Sequence, residues 1–191
     1  MSNTSDPSSL PRANPRPGGR SARVQAAVHA AVRELQESGD RADVNVPAIA
    51  AKAGVTPSTI YRRWGDIKQL LADVAVEQLR PETPPADVGS FDGDLRAWLE
   101  QYIEEMSSTL GRSMLRDVLG TPDAADAGRC MGFCTMQIDV IRERAVARGD
   151  STVPNEVVID KVLAPAMYRI LFGKEPPTKA ELNAWVDSAL G

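Results

Sequence analysis

The sequence predicts an all-α fold, and three observations carry that expectation. Beyond residue 20, apolar residues recur with the 3.6-residue period of a helix along most of the chain. Ala, Leu, Glu and Arg are plentiful, β-branched runs are few and aromatics make up 5%, which favours helix over strand. Ser, Thr, Asn or Asp opens several of the periodic segments and Gly closes several of them, as helix caps do. No strand pattern and no internal repeat stands out.

The elements follow in order. Residues 1–19 are rich in Pro, Ser, Asn and Gly with almost no apolar content, which predicts a disordered leader. A first helix is expected over about 21–38, with Val24, Val28, Ala31, Val32 and Leu35 on one stripe and Gly39 as its stop. A second, over about 46–53, is capped by Asn45 and carries Val46, Ile49, Ala50 and Ala53 on one face. Gly54 then supplies the positive φ of a sharp turn. Thr56 stands as N-cap and Pro57 as first residue of a very short helix that Gly65 closes. Asp66 with Gln69 resembles a capping box for a fourth helix, whose stripe of Ile67, Leu70, Leu71 and Val74 runs to about Leu79.

Residues 81–91 hold three prolines and a glycine and are the expected domain boundary. Beyond them Leu95, Trp98, Leu99, Tyr102, Ile103 and Met106 keep a strict helical period. A break is expected at Gly111, then a shorter helix to about Leu119. Thr121-Pro122 opens a long helix ending at Gly149. A further helix over about 155–172 is expected to kink at Pro165. Thr178 and Glu181 form a capping box for the last helix, which carries Leu182, Trp185, Val186 and Ala189.

Composition narrows the function classes. An apolar content of 42% and a charged content of 25% are ordinary for a soluble globular chain of 191 residues. There is no run of about 18 apolar residues, so no membrane span is expected. The N-terminus lacks the apolar stretch of a secretory signal, and two cysteines do not make a disulfide framework, so the cytoplasm is the expected location. Charge is uneven. Residues 1–71 hold ten Lys/Arg against six Asp/Glu, a balance of +4, whereas residues 72–191 hold twelve against twenty, a balance of −8. A basic first part on an acidic remainder points to an anionic partner for the first part only.

The short helix has an unusual division of labour. Ile60 and Trp64 share one face at i, i+4 spacing and can bury, leaving Ser58, Thr59, Tyr61, Arg62 and Arg63 outward. Two short helices joined by a tight Gly-containing turn make a helix-turn-helix unit, whose second helix enters the major groove of DNA. Arg can bond guanine in two places, Ser and Thr can take base edges or phosphates, and Tyr can donate to phosphate. A structural helical hairpin with a solvated basic face is the plainer alternative on the hairpin alone.

The stretch from Val46 to Trp64 resembles the DNA-binding signature of the tetracycline-repressor (TetR) family. The matching positions are Ile49-Ala50, Ala53-Gly54-Val55-Thr56, Thr59-Ile60-Tyr61, Trp64 and Leu70-Leu71, each at the family's spacing. The resemblance covers about residues 21–75. Two positions depart: Ile67 stands where the family usually has Lys, with Lys68 beside it, and Arg63 stands where it often has His. The resemblance implies a three-helix DNA-binding domain over 20–80, a linker over 81–91, and an effector-binding and dimerisation domain over 92–191. It implies DNA contacts from Asn45, Thr56, Pro57, Ser58, Thr59, Tyr61, Arg62, Arg63 and Lys68.

The resemblance further implies a small-molecule pocket on the middle helices, with Trp98, Tyr102, Met106, Met131, Phe133, Cys134 and Tyr168 as candidates and Met114 and Met136 beside them. Core filling is the alternative role of the methionines. Dimerisation through the last two helices is implied for Val162, Leu163, Ile170, Leu182, Trp185 and Val186. Apolar residues surrounding much of 157–171 agree with that, and agree equally with a central core helix. Cys130 and Cys134, at i, i+4, read as small buried hydrophobes or as a thiol sensor. One histidine, His29, sits far from them in sequence, so no metal or other cofactor is expected.

The expected function is transcriptional regulation: repression from a palindromic operator bound by a homodimer and released by a small effector. A constitutive dimeric DNA-binding protein without an effector is the alternative. A helical enzyme is the remote one, since no Gly-x-Ser-x-Gly, P-loop or Gly-x-Gly-x-x-Gly motif is present. Arg12, Arg16 and Arg20 make the leader mildly basic, either as an arm that adds phosphate contacts or as an inert extension.

Overall fold

The computed structural model describes residues 19–38, 43–121 and 125–191. The leader before Gly19, with Arg12 and Arg16, lies outside the described residues. So do the expected stop at Gly39 and the cap residue Pro122. Among the described residues every regular element is helical. The chain divides into two compact units, one ending at Arg63 and one running from Trp64 to Gly191.

In the first unit α1 spans Arg20–Ser38 and packs on α2, Val46–Ala53. Asn45 caps α2, its Oδ1 accepting from the Ala48 N–H at 3.0 Å. Gly54 closes α2 with φ 66°, a conformation costly for any residue with a Cβ. The reversal brings the Val55 N–H to the Ala50 carbonyl at 3.0 Å. Next comes α3, Pro57–Trp64. Val28, Val32, Ile49 and Ile60 are fully buried.

The second unit opens with α4, Ile67–Gln78, whose Ala75 and Val76 pack with Met114 and Val118 of α6 and with Ala127, Cys130 and Phe133 of α7. Asp66 caps it by accepting from the Gln69 N–H at 2.9 Å. The reciprocal half expected of Gln69 is diverted: its amide donates to Asp126 at 2.8 Å instead. Helix α5 spans Phe91–Ser107 and α6 spans Thr109–Leu119. The break expected at Gly111 falls three residues earlier, at Ser108, whose hydroxyl accepts from the Gly111 N–H at 2.9 Å. Gly111 is needed for a different reason. A Cβ there would lie 2.1 Å from the Glu105 carbonyl oxygen and 2.8 Å from the Met106 Cα, so glycine alone lets the α5–α6 corner close.

Helix α7, Ala125–Arg148, ends at Gly149 with φ 85°. The helix expected over 155–172 is present in three pieces: α8 Asn155–Val158, a π turn Ile159–Leu163, and α9 Ala164–Phe172. Proline has no N–H and its ring crowds the carbonyl four residues back. The chain widens just before Pro165, and the Ala164 N–H bonds the Ile159 carbonyl five residues earlier. The last helix, α10, spans Lys179–Leu190 behind the expected Thr178–Glu181 capping box.

The core of this unit corrects the expected dimer residues. Val162, Leu163, Ile170, Leu182 and Val186 are all buried within the one chain, among Phe91, Leu95, Leu99 and Ile103 of α5 and Ile138 and Ile141 of α7. Trp185 packs against the same cluster. The wide apolar circumference of 157–171 therefore belongs to a core segment, covered on several sides by its own chain. The segment between α4 and α5 is pinned. Asp94, wholly buried, accepts from the Val88 N–H at 2.6 Å and from Arg148 at 2.9 Å, and Arg144 donates to the Pro85 carbonyl at 2.7 Å.

Candidate nucleic-acid interface and cavity

Helix α3 is anchored on one side and polar on the other. Ile60 is fully buried and Trp64 nearly so, while Pro57, Ser58, Tyr61, Arg62 and Arg63 are exposed and Thr59 is half-buried. Three hydroxyls gather at its start, with Thr56 Oγ1 2.9 Å from Ser58 Oγ and 3.0 Å from Thr59 Oγ1. The exposed face thus offers hydroxyls, a phenol and guanidinium groups, the set that phosphates and base edges accept from.

The two arginines are not equivalent. Arg63 donates to the Ser21 carbonyl at 2.9 Å, to Ser21 Oγ at 2.8 Å and to Gln25 Oε1 at 2.5 Å. It ties the end of α3 to the first turn of α1. The Arg62 guanidinium makes no hydrogen bond or ion pair among the described residues and is exposed. Arg20, Ser21, Val24, Thr59, Arg62 and Arg63 line one recess between α1 and α3. Asn45 spends its side chain locally, accepting from Ala48 and donating to the Asp43 carbonyl at 3.2 Å. Lys68 is exposed in the first turn of α4.

The second unit holds a cavity of about 480 Å³ that is partly open to solvent. Of the residues expected there, Trp98, Tyr102, Met106, Phe133 and Cys134 line it, with Met114 and Cys130. Met131 and Tyr168 do not; they are 58% and 66% exposed on the outer faces of α7 and α9, and Met136 is exposed as well. Gln78 and Leu79 at the end of α4, and residues 80–85 of the following segment, also line the cavity. Nothing in the sequence marks these residues. They belong to a stretch that reads as the end of a DNA-binding helix and a Pro-rich linker.

Burial pushes the Cys130 thiol up to about 11, and Cys134 is raised for the same reason. Both thiols therefore stay protonated at neutral pH and act as small apolar wall groups rather than nucleophiles. Burial likewise raises Tyr102, which keeps its phenolic proton. Among the described residues no group of three His, Cys, Asp or Glu side chains is placed to hold a metal ion. No described helix is long and apolar enough to cross a membrane.

A polar chain runs beside this cavity. Trp64 donates its indole N–H to Asp73 at 2.9 Å, Arg129 lies 3.5 Å from Asp73 and 2.5 Å from Asp126, and Asp126 accepts from Gln69. Arg129 is the residue before Cys130, so the last residue of α3 is joined through α4 to a turn of α7 that forms cavity wall.

Comparison with known proteins agrees with both halves. Residues 27–74 match the family described as bacterial regulatory proteins, tetR family, and residues 85–189 match the family described as tetracyclin repressor-like, C-terminal domain. An uncharacterized HTH-type transcriptional regulator of Mycobacterium tuberculosis (strain H37Rv) is 29% identical over 167 residues, covering 83% of this chain and 81% of its own. The HTH-type transcriptional regulator AqdR of Rhodococcus erythropolis is 25% identical over 123 residues, 61% of this chain and 59% of its own. The crystal structure of the TetR family transcription regulator SCO0332 superposes with a TM-score of 0.65 at 26% identity, covering 87% of this chain and 96% of that one.

Proposed function

Since the chain belongs to the TetR family of DNA-binding transcriptional regulators, we propose that it is a homodimeric repressor released from a palindromic operator by a small molecule held in the α4–α7 cavity. The cavity is the observation that carries the effector. Its wall includes Gln78 and Leu79 of α4, and α4 begins three residues after α3 ends. A molecule that favours one placement of α4 over another thereby biases the helix that meets DNA. The coupling required is about 1–3 kcal/mol, set by the effector's differential affinity for the two states. Such a cavity supports an effector-controlled regulator over a constitutive DNA-binding protein.

DNA recognition falls to α3. Ser58, Thr59, Tyr61 and Arg62 supply groove and phosphate contacts, with Thr56 and Pro57 shaping its first turn and Lys68 adding charge. Arg63 and Asn45 hold the unit's geometry, and their effect on DNA is indirect.

Selection of bound duplexes from a random pool, followed by titration of the selected sequence, tests the reading. The expected product is a two-fold symmetric site whose half-sites lie about one or two helical turns apart. Failure to enrich any sequence overturns operator recognition. Enrichment of an unsymmetric single site overturns the dimeric mode.

A further inference from the structure

The cavity combines flat aromatic surface with two polar groups that lack strong partners. Trp98 and Tyr102 stack with ring centroids 5.6 Å apart and planes inclined by 29°, and Phe133 adds a ring from α7. Gln78, the last residue of α4, lines the same space. Its Oε1 is shielded and accepts no hydrogen bond among the described residues, so a turn of this flexible side chain toward the cavity would give the oxygen a partner without breaking an existing bond. Buried carbonyl oxygens are nearly always paired, because an unmade bond leaves the desolvation cost uncompensated.

The second group is the Tyr102 hydroxyl. It donates to Met167 Sδ at 3.7 Å and lies beside the Cys134 thiol. Sulfur is a weak acceptor, so a phenol pointed at sulfur gains by turning to an oxygen brought in by a ligand. Charge is kept out of the interior. The charged lining residues Arg80, Glu82 and Glu105 are all exposed, so no buried ion in the wall among the described residues is placed to neutralise an ionised ligand.

We propose, resting on the reading of this cavity as the effector site, that it takes an uncharged, flat aromatic molecule bearing one hydrogen-bond donor for Gln78 Oε1 and one acceptor oxygen for the Tyr102 hydroxyl. The ring lies against the Trp98–Tyr102 surface. The donor engages the end of α4, so ligand chemistry and control of DNA binding meet at one residue. Molecules of the same shape that carry a carboxylate, or no donor, are discriminated against.

A matched naphthalene series titrated calorimetrically into the full chain tests this: 2-naphthamide, its N,N-dimethyl derivative, 2-methylnaphthalene and 2-naphthoate. The primary amide is expected to bind about tenfold tighter than the hydrocarbon and the dimethyl amide, the worth of one otherwise unmade buried bond. The carboxylate is expected to bind weakest. Gln78→Leu should reduce the primary amide to the level of the hydrocarbon while leaving the hydrocarbon's own affinity unchanged, which also reports that the cavity is intact. Tyr102→Phe should weaken both amides alike.

Equal binding of amide and hydrocarbon, or tightest binding of the carboxylate, overturns the proposed ligand class and leaves the cavity as a binding site. Binding by no member of the series overturns the effector-site reading itself. The primary and dimethyl amides are compared in the unmodified protein, so the outcome does not depend on any variant folding.

Discussion

Arg62 and Arg63 are neighbours of one chemical type, and their surroundings give them different work. Arg62→Ala is expected to weaken operator binding by about 1–3 kcal/mol if it reads guanine, mainly on the specific site. If it meets only phosphate, the loss is similar on all sequences and the salt slope falls by about one unit. Arg63→Ala removes three hydrogen bonds to α1. It is expected to lower the melting temperature of the first unit, with DNA affinity following stability; titration and thermal melts of both variants separate the roles. Asp94 ties stability to pH on the acid side. Burial alone would raise its carboxyl, but the Val88 N–H and Arg148 outweigh burial and hold it below the ordinary carboxylate range. A depressed folded pKa contributes stability above the unfolded value, and that contribution is lost as pH falls through the folded value. Denaturant melts should therefore show Asp94's share constant above about pH 5 and declining below about pH 4. Asp94→Asn should cost about 1–3 kcal/mol at neutral pH and flatten the acid decline; an unchanged pH profile would refute the assignment.

At the scale of elements, most of the helices were legible because their caps and stripes are local. Asn45, Gly54, Asp66 and the Thr178–Glu181 box each act within four residues of themselves, so sequence spacing alone reveals them. Where a distant element takes part, spacing is silent. Gln69 fits a capping box, yet Asp126, 57 residues away, takes its amide. Gly111 resembles a helix stop, but it is the close approach of Glu105 and Met106 that requires glycine. Gly111→Ala should therefore cost about 1–3 kcal/mol through overpacking at the α5–α6 corner, although alanine is the better helix former. Chemical denaturation measures it, and a stabilised variant would show that the corner yields freely. The cavity was legible on the α5, α6 and α7 sides but not on the α4 side. Gln78 and the segment after it carry no motif, and only the fold turns them toward Trp98 and Tyr102.

For the whole molecule, the burial of Val162, Leu163, Ile170, Leu182 and Val186 moves the expected subunit contact to the other side of the same helices. Apolar content along 157–171 could not say which residues face the chain's own core, because nearly the full circumference is apolar. What remains outside is narrower. On α9 Ala164, Tyr168 and Phe172 recur at i, i+4, i+8 and are exposed, the last two at 66% and 75%, with their rings 5.2 Å apart. On α10 Ala180, Ala184 and Ser188 recur at the same spacing and are exposed, a row of small side chains. Large aromatics on one helix and small residues on the next suit close helix packing across a two-fold axis, where each surface meets its own copy. We therefore expect Tyr168→Glu with Phe172→Glu to sediment as a folded monomer with unchanged helicity. Operator affinity should then fall by at least about 100-fold, because the second half-site is no longer held at high effective concentration. Val162→Glu provides the contrast: burying a carboxylate in the core should unfold the second unit rather than part the subunits. Sedimentation and circular dichroism together distinguish the outcomes. A double variant that stays dimeric would move the interface to the exposed methionines of α7, Met131 and Met136.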